Sequence, residues 1–203
     1  MEKGKSAARS RTDAEDRQLV SRIAEGDAEA GKAFFLRYRQ GAFRVAYRLL
    51  GNEADALDVV EDAFVKLLRA AGSFRGAASA RTWFYRIVTN TGLDARRKRG
   101  RFVSIESAKD DEGAGMADFL PSREESPDEA AVRKETGERI QEAVAALGEK
   151  HRLVFILAVI EELSYKETAE ILEISIGTVM SRLFYARRYL RETLKGYLGA
   201  GDE

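Results

Sequence analysis

The 203-residue chain has no cysteine, two prolines, a single histidine and a single tryptophan, and it carries no net charge. Without cysteine it has no disulfide scaffold, no Cys-type zinc site and no thiol redox switch. The lone histidine, His151, has no second imidazole to share a metal with; its place at the head of the apolar run RLVFILAVI suits a surface or helix-cap role. No apolar run approaches the ~18 residues of a membrane span. The opening MEKGKSAARSRT is charged with no apolar stretch behind it, so no export signal is expected and the chain reads as cytoplasmic. The 44% hydrophobic content is ordinary for a globular protein of one domain or two small ones.

Basic and acidic residues number 34 each, and that balance hides a pattern along the chain. From Arg81 to Arg101 seven bases (Arg81, Arg86, Arg96, Arg97, Lys98, Arg99, Arg101) face one acid, Asp94. From Phe102 to Ala130 the sign reverses, with nine acids against Lys109 and Arg123, and both prolines, Pro121 and Pro127, lie in this stretch. Ile176 to Lys195 is basic again. Two basic blocks around an acidic, Gly- and Ser-containing segment predict two domains and a flexible acidic linker.

Periodicity is helical throughout, with no run of strand-like alternation, so the fold expected is all-α. One helix is predicted from about Glu29 to Leu50, with Gly51 ending it in the left-handed conformation. Asn52 is set to cap the next, on which Ala56, Val59, Val60, Ala63 and Leu67 face inward. Its polar stripe runs Asp55, Asp58, Asp62, Lys66, Arg69, acids first and bases last, as the helix dipole favours; Asp62 and Lys66 form an i,i+4 pair. Such a stripe serves helix stability and a partner surface equally well.

The segment LSYKETAEILEISIGTVMSRLFYARRYLRETL, Leu163 to Leu194, reads as two helices around a tight turn. Ser164 and Glu167 form a capping box for the first, whose Ala169, Ile171 and Leu172 turn inward. Glu173-Ile174-Ser175 makes the turn, and Ser175 caps a helix whose Ile176, Val179, Leu183, Ala186, Leu190 and Leu194 recur every three or four residues. Gly177, Thr178, Ser181, Phe184 and Arg188 share the opposite face, with Tyr185 and Arg182 on one flank and Met180 and Arg187 on the other. A small, polar start with arginines farther along suits entry into a major groove. An ordinary amphipathic hairpin with a solvated basic face has the same spacing.

In SFRGAASARTWFYRIVTNTGLDARRKRGR, Ser73 to Arg101, a glycine-containing loop with Phe74 and Arg75 precedes a helix that interleaves Trp83, Phe84, Tyr85, Arg86 and Asn90. Aromatic faces stack on unpaired bases and arginines hold a strand backbone, the pairing that single-strand binding uses. Asn90 is a candidate base-edge reader because its amide both donates and accepts.

Taken together these blocks resemble the bacterial RNA polymerase sigma factors of the extracytoplasmic-function (ECF) class, compact members of the sigma-70 family. LVSRIAEGDAEAGKAFFLRY resembles the start of region 2, DALDVVEDAFVKLLR the polymerase-binding helix, and SFRGAASARTWFYRIVTNTGLDARRKR the promoter-melting and −10 recognition segment. LGEKHRLVFILAVIEELSYKETAEILEISIGTVMSRLFYARRYLRETL resembles region 4.

The resemblance implies a region 2-like helical bundle at 16–101, a linker at 102–132 and a region 4-like helix-turn-helix domain at 133–198, with a disordered tail at 1–15 and another at 199–203. It implies that Asp55, Asp58, Val59, Glu61, Asp62 and Phe64 bind the clamp helices of the polymerase core, while region 4 reaches its flap. Phe74, Arg75, Gly76, Arg86 and Asn90 would capture melted −10 bases, with Arg96, Arg97 and Lys98 on the phosphates. Gly177, Thr178, Ser181, Arg182, Phe184, Tyr185 and Arg188 would read the −35 duplex. An anti-sigma factor is an implied partner; no cofactor, metal or catalytic residue is implied.

The chain departs from the family pattern at several positions. Met180 and Tyr185 replace frequently basic residues, Glu173 and Glu162 stand where glycine is common, Leu57 stands where an acid is usual, and Gly148 replaces a customary proline. The alternative to a sigma factor is a stand-alone helix-turn-helix regulator that binds duplex DNA without polymerase. An enzyme is not expected: the carboxylates sit on helical stripes or in the linker, and no phosphate-binding glycine loop follows a strand.

Overall fold

Asp27 and Asn52 start the two helices at the centre of the first half. In the computed structural model, which describes residues 2–103 and 127–198, the Asp27 carboxylate accepts from the Glu29 and Ala30 amides and the Asn52 side chain from the Asp55 amide. Helix α2 (Ala28–Leu50) ends at Gly51, φ 85°, whose N–H donates to the Tyr47 carbonyl, and α3 (Glu53–Ala70) follows at once. Before them lies α1 (Glu2–Ala24); after them a 3₁₀ turn and the Phe74–Gly76 loop lead to α4 (Ala80–Val103).

The apolar stripes of these four helices meet in one core. Phe34, Phe84, Leu67, Val45, Val88 and Val20 are fully enclosed, and the rings of Phe34 and Phe84 meet edge to face at 5.5 Å. The stretch expected to be a disordered tail is helical from Glu2. Arg11–Glu15 and Asp13–Arg17 pairs on successive turns hold its later part, and buried Asp16 bonds Arg37 and the Tyr38 hydroxyl of α2. Burial, with Asp16 alongside, pushes the Tyr38 hydroxyl far above its ordinary pKa.

The second half begins with α5 (Pro127–Ala146), which starts inside the expected linker with proline at the first helical position, where a missing N–H costs nothing. The linker residues 104–126 and the tail 199–203 lie outside the described residues. Then come α6 (Glu149–Phe155), a π turn (Ile156–Ile160), α7 (Tyr165–Leu172) and α8 (Ile176–Leu198). The Ser164–Glu167 capping box is formed, and Ser175 Oγ accepts from the Thr178 amide 3.0 Å away. Val179, Leu183, Ala186 and Leu190 of α8 are buried against α5, α6 and α7, whereas Ile176 is 47% exposed: at the first turn nothing lies over it.

Ile156, Leu157, Leu163 and Ile171 leave the second half's own clusters and complete the core of the first. The two helical domains are therefore packed together, α7 lying along α4.

Candidate nucleic-acid interface

Three exposed surfaces carry the residues expected from sequence. The first is the outer face of α8. Gly177, Ser181, Phe184, Tyr185 and Arg188 are exposed, and Thr178 and Arg182 half-buried, all on the side away from the packed stripe. Met180 is 55% and Phe184 64% exposed, apolar side chains in a basic surround that includes Arg182, Arg187 and Arg188. Tyr185 meets Phe184 and His151 edge-on at 5.6 and 6.2 Å, which places the histidine at the flank of the recognition helix. Arg188 Nε donates to Glu192 across one turn at 3.0 Å.

The second surface is the Phe74–Gly76 loop with the exposed side of α4. Gly76 has φ 71°, a left-handed conformation that glycine adopts freely, and Arg75 donates to the Gly72 carbonyl at 3.2 Å. Phe74 and Trp83 pack at 4.9 Å, both half-buried. Asn90 is exposed and Arg86 half-buried. The expected base-stacking role of Phe84 and Tyr85 is not available: they are 1% and 2% exposed, because α2 covers their side of α4. Of the expected phosphate ligands, Arg97 is paired with Asp94 of its own helix, Arg96 lies 3.0 Å from Glu149 of α6, and Lys98 is exposed. The Arg97 side chain is also the main reason the Asp94 carboxyl sits below its ordinary value.

The third is the α3 stripe. Asp58, Glu61 and Asp62 are exposed, and Leu57, Val65 and Leu68 add apolar area beside them. Asp55 is tied to Asn52 Nδ2 at 2.7 Å and to Arg99 at 2.8 Å, a basic partner that the spacing did not single out. Val59, expected at the polymerase surface, is 3% exposed and closes the core beneath the stripe; Phe64 is half-buried against Phe35, ring centroids 4.9 Å apart. The expected Asp62–Lys66 pair gives way to a bond from Lys66 Nζ to Thr91 of α4 at 3.0 Å.

One buried polar cluster had no sequence signal. Glu161, at the end of the π turn, is 3% exposed and lies between the domains. Arg44 of α2 donates to both its oxygens, at 2.7 and 2.9 Å, Tyr85 of α4 donates at 2.7 Å, and Arg81 donates to its backbone carbonyl. Hydrogen bonding to Glu161 raises the Arg44 pKa, while burial lowers that of Arg48, one turn on. Among the described residues no group of three or more His, Cys, Asp or Glu has the arrangement of a metal site. No described helix is long and apolar enough to cross a membrane.

Comparison with known proteins places the chain in a family. The sigma-70 region 2 family model matches residues 34–102, and sigma-70 region 4 matches residues 137–190. The chain is 34% identical to the RNA polymerase sigma-H factor of Pseudomonas aeruginosa, over 92% of this chain and 97% of that one. It is 31% identical to the ECF RNA polymerase sigma factor SigW of Bacillus subtilis, over 88% and 96%. Among solved structures it is similar to CnrH in complex with the cytosolic domain of CnrY, TM-score 0.66 at 25% identity, over 89% of this chain and 97% of that one. It is also similar to the sigma factor RpoE in complex with the anti-sigma factor NepR from Bartonella quintana, TM-score 0.65 at 26% identity, over 81% and 96%.

Proposed function

The chain belongs to the sigma-70 family, in its ECF class, and is a sigma factor that directs promoter-specific transcription initiation; on that premise we propose how its residues divide the work. The acids of α3 that stand free of the fold, Asp58, Glu61 and Asp62, meet the clamp helices of the polymerase core. Asp55 joins them by exchanging Arg99 for a basic partner, and Phe64 supports the surface from its edge.

On the second surface, the Phe74–Arg75–Gly76 loop and Asn90 receive a base unstacked from the −10 element. Unstacking costs a few kcal/mol, which pocket contacts offset once polymerase holds the strand in place. Arg86, Arg97 and Lys98 hold the phosphates there, and Arg96 joins them when it leaves Glu149. On the first surface, Thr178, Ser181, Arg182, Phe184, Tyr185 and Arg188 of α8 lie in or beside the −35 major groove, where the helix start brings Gly177 close to the backbone.

The observation that carries this reading is the exposure of all three surfaces on one chain: acids on α3, an amide and loop on α4, and a basic face with apolar tips on α8. Neither reader needs to bind DNA tightly, since engagement at one element raises the effective concentration at the other. The protein acts with polymerase in the cytoplasm, and a partner of the anti-sigma kind, as in the solved complex of RpoE with NepR, is the proposed regulator.

The test is run-off transcription from a genomic fragment library with purified core, with and without this protein. Transcripts from defined start sites that depend on the protein support the reading. Duplex binding that needs no core, without any new transcript, would favour a stand-alone regulator.

A further inference from the structure

Helix α1 has no part in the division of labour above, yet it packs on the turn Ala71–Ser73 that leads into the Phe74–Gly76 loop. Arg17 is the residue that reaches the loop itself. Gly76 has φ 71° and no side chain, and a methyl group added to it would stand 3.2 Å from Arg17 Nη1 and 3.9 Å from Cζ. The guanidinium therefore lies against the bare face of the loop.

The donors left over decide what it can hold. Arg17 Nε donates to Asp13 one turn back, at 3.2 Å, and among the described residues neither terminal nitrogen is bonded. The Asp13 carboxylate is committed: one oxygen takes that bond and the other is enclosed. With the Arg17 side chain 48% exposed, what meets solvent is the end of a guanidinium, two parallel N–H groups at a spacing that matches two oxygens of a phosphate. Arg75, the loop's own arginine, is by contrast folded back onto the Gly72 carbonyl.

Helix stability alone does not account for this placement. An i,i+4 pair asks only that the arginine lie along its helix, as Arg11 does toward Glu15 with 86% of its side chain exposed. Arg17 instead lies across to another element. The field there favours an anion as well: α4 starts directly behind the loop, where Ser79 Oγ accepts from the Thr82 amide at 3.0 Å, and the positive end of its dipole adds to the charge of Arg17.

We propose that Arg17 of α1 is a further residue of the −10 reader, its guanidinium over Gly76 holding the phosphate of the nucleotide whose base the loop receives. The assignment rests on the −10 role given to that loop above. A base turned out of the stack carries its own phosphate past the rim of the pocket, and a glycine at that rim lets the strand backbone come close. Arg17 meets it there from outside the loop, already aimed because Asp13 holds Nε. The cost of ordering a long side chain is thus largely met before DNA arrives.

The probe is a promoter duplex left single-stranded across the −10 element, bound by polymerase core carrying the full chain. Replacing the linkages of its unpaired strand one at a time by methylphosphonate removes a single phosphate charge and leaves every base in place. The parent should lose about ten-fold in affinity at the linkage that Arg17 holds. Arg17→Gln should bind the unmodified probe about ten-fold more weakly, lose nothing further at that linkage, and keep the parent's losses at the others. Its plot of log affinity against log salt should be shallower by about 0.7, the value of one single-strand phosphate contact.

Arg17→Lys keeps the charge without the fork, so it should retain the parent's salt slope while binding more weakly. The position is exposed and its pair with Asp13 contributes little, so both variants should melt within about two degrees of the parent. If Arg17→Gln keeps the parent's loss at every linkage, or the parent's salt slope, the contact is overturned while the −10 role of the loop stands. A parent indifferent to every linkage overturns the role of the loop, and the contact with it.

Discussion

Glu162 and Glu173 share a backbone conformation that glutamate rarely adopts, with φ 51° and 53°, one on each side of α7. In L-residues this left-handed region crowds Cβ against the carbonyl, at a cost of about 1–2 kcal/mol per residue, and glycine escapes it. Glu173→Gly should therefore stabilise the fold by about 0.5–1 kcal/mol, the relief being partly offset by the extra freedom glycine has when unfolded. Urea denaturation of parent and variant checks this, and a loss of stability would show that the Glu173 side chain makes contacts worth more than the strain.

Asp27 links pH to the first half. The Ala30 amide, then Arg22, hold its carboxyl below the ordinary value of 3.8. A carboxyl whose pKa is lower in the folded state stabilises above its unfolded pKa, and that contribution fades as pH falls through the folded value. Asp27→Ala should lower the melting temperature by the same interval from neutral pH down to about pH 5, and the interval should close as acid protonates the parent's Asp27. An interval that persists undiminished at pH 2 would mean that Asp27 acts through something other than its charge.

Much of this layout is legible in the chain because local chemistry dictates it. Gly51, Asn52 and the Ser164–Glu167 box each act within four residues, and they start or stop helices where the pattern predicts. The stripe on α8 is likewise a matter of spacing, although spacing does not reveal that Ile176 has no cover. What is not legible depends on partners far along the chain. Phe84 and Tyr85 fit a base-stacking platform until α2 is seen to lie over them. Asp16 orders α1 through Arg37 and Tyr38, and Glu161 meets Arg44 across 117 residues. Val59 fails as a polymerase contact for the same reason: a helix stripe has an edge, and only its neighbours decide which side of the edge a residue falls on.

Asn90 and Asp58 stand on different exposed surfaces, α4 and α3, and their roles should separate. Asn90→Ala removes an amide that both donates and accepts, so promoter opening should fall by an order of magnitude while recovery on core is unchanged. Asp58→Lys places a base in an acidic stripe and should weaken core binding by a similar factor. Permanganate footprints of opened thymines and core pull-downs read the two activities; equal loss of both in each variant would end the division of labour.

Met180 and Phe184 lie one turn apart on the outer face of α8, the most apolar part of an otherwise polar and basic surface. In a major groove the only apolar mark is the thymine methyl group, so this pair should favour thymine where a basic residue at position 180 would favour guanine or phosphate. Replacing each −35 thymine by deoxyuridine removes the methyl and nothing else. At one position at least, binding of holoenzyme to the duplex should weaken about four-fold, the value of one buried methyl group at about 0.8 kcal/mol. Met180→Lys or Phe184→Ala should abolish that sensitivity. The lysine variant should also steepen the dependence of log affinity on log salt by about 0.9, as one more phosphate is neutralised. Equal affinity for thymine and deoxyuridine at every position would assign the exposed pair to something other than base readout.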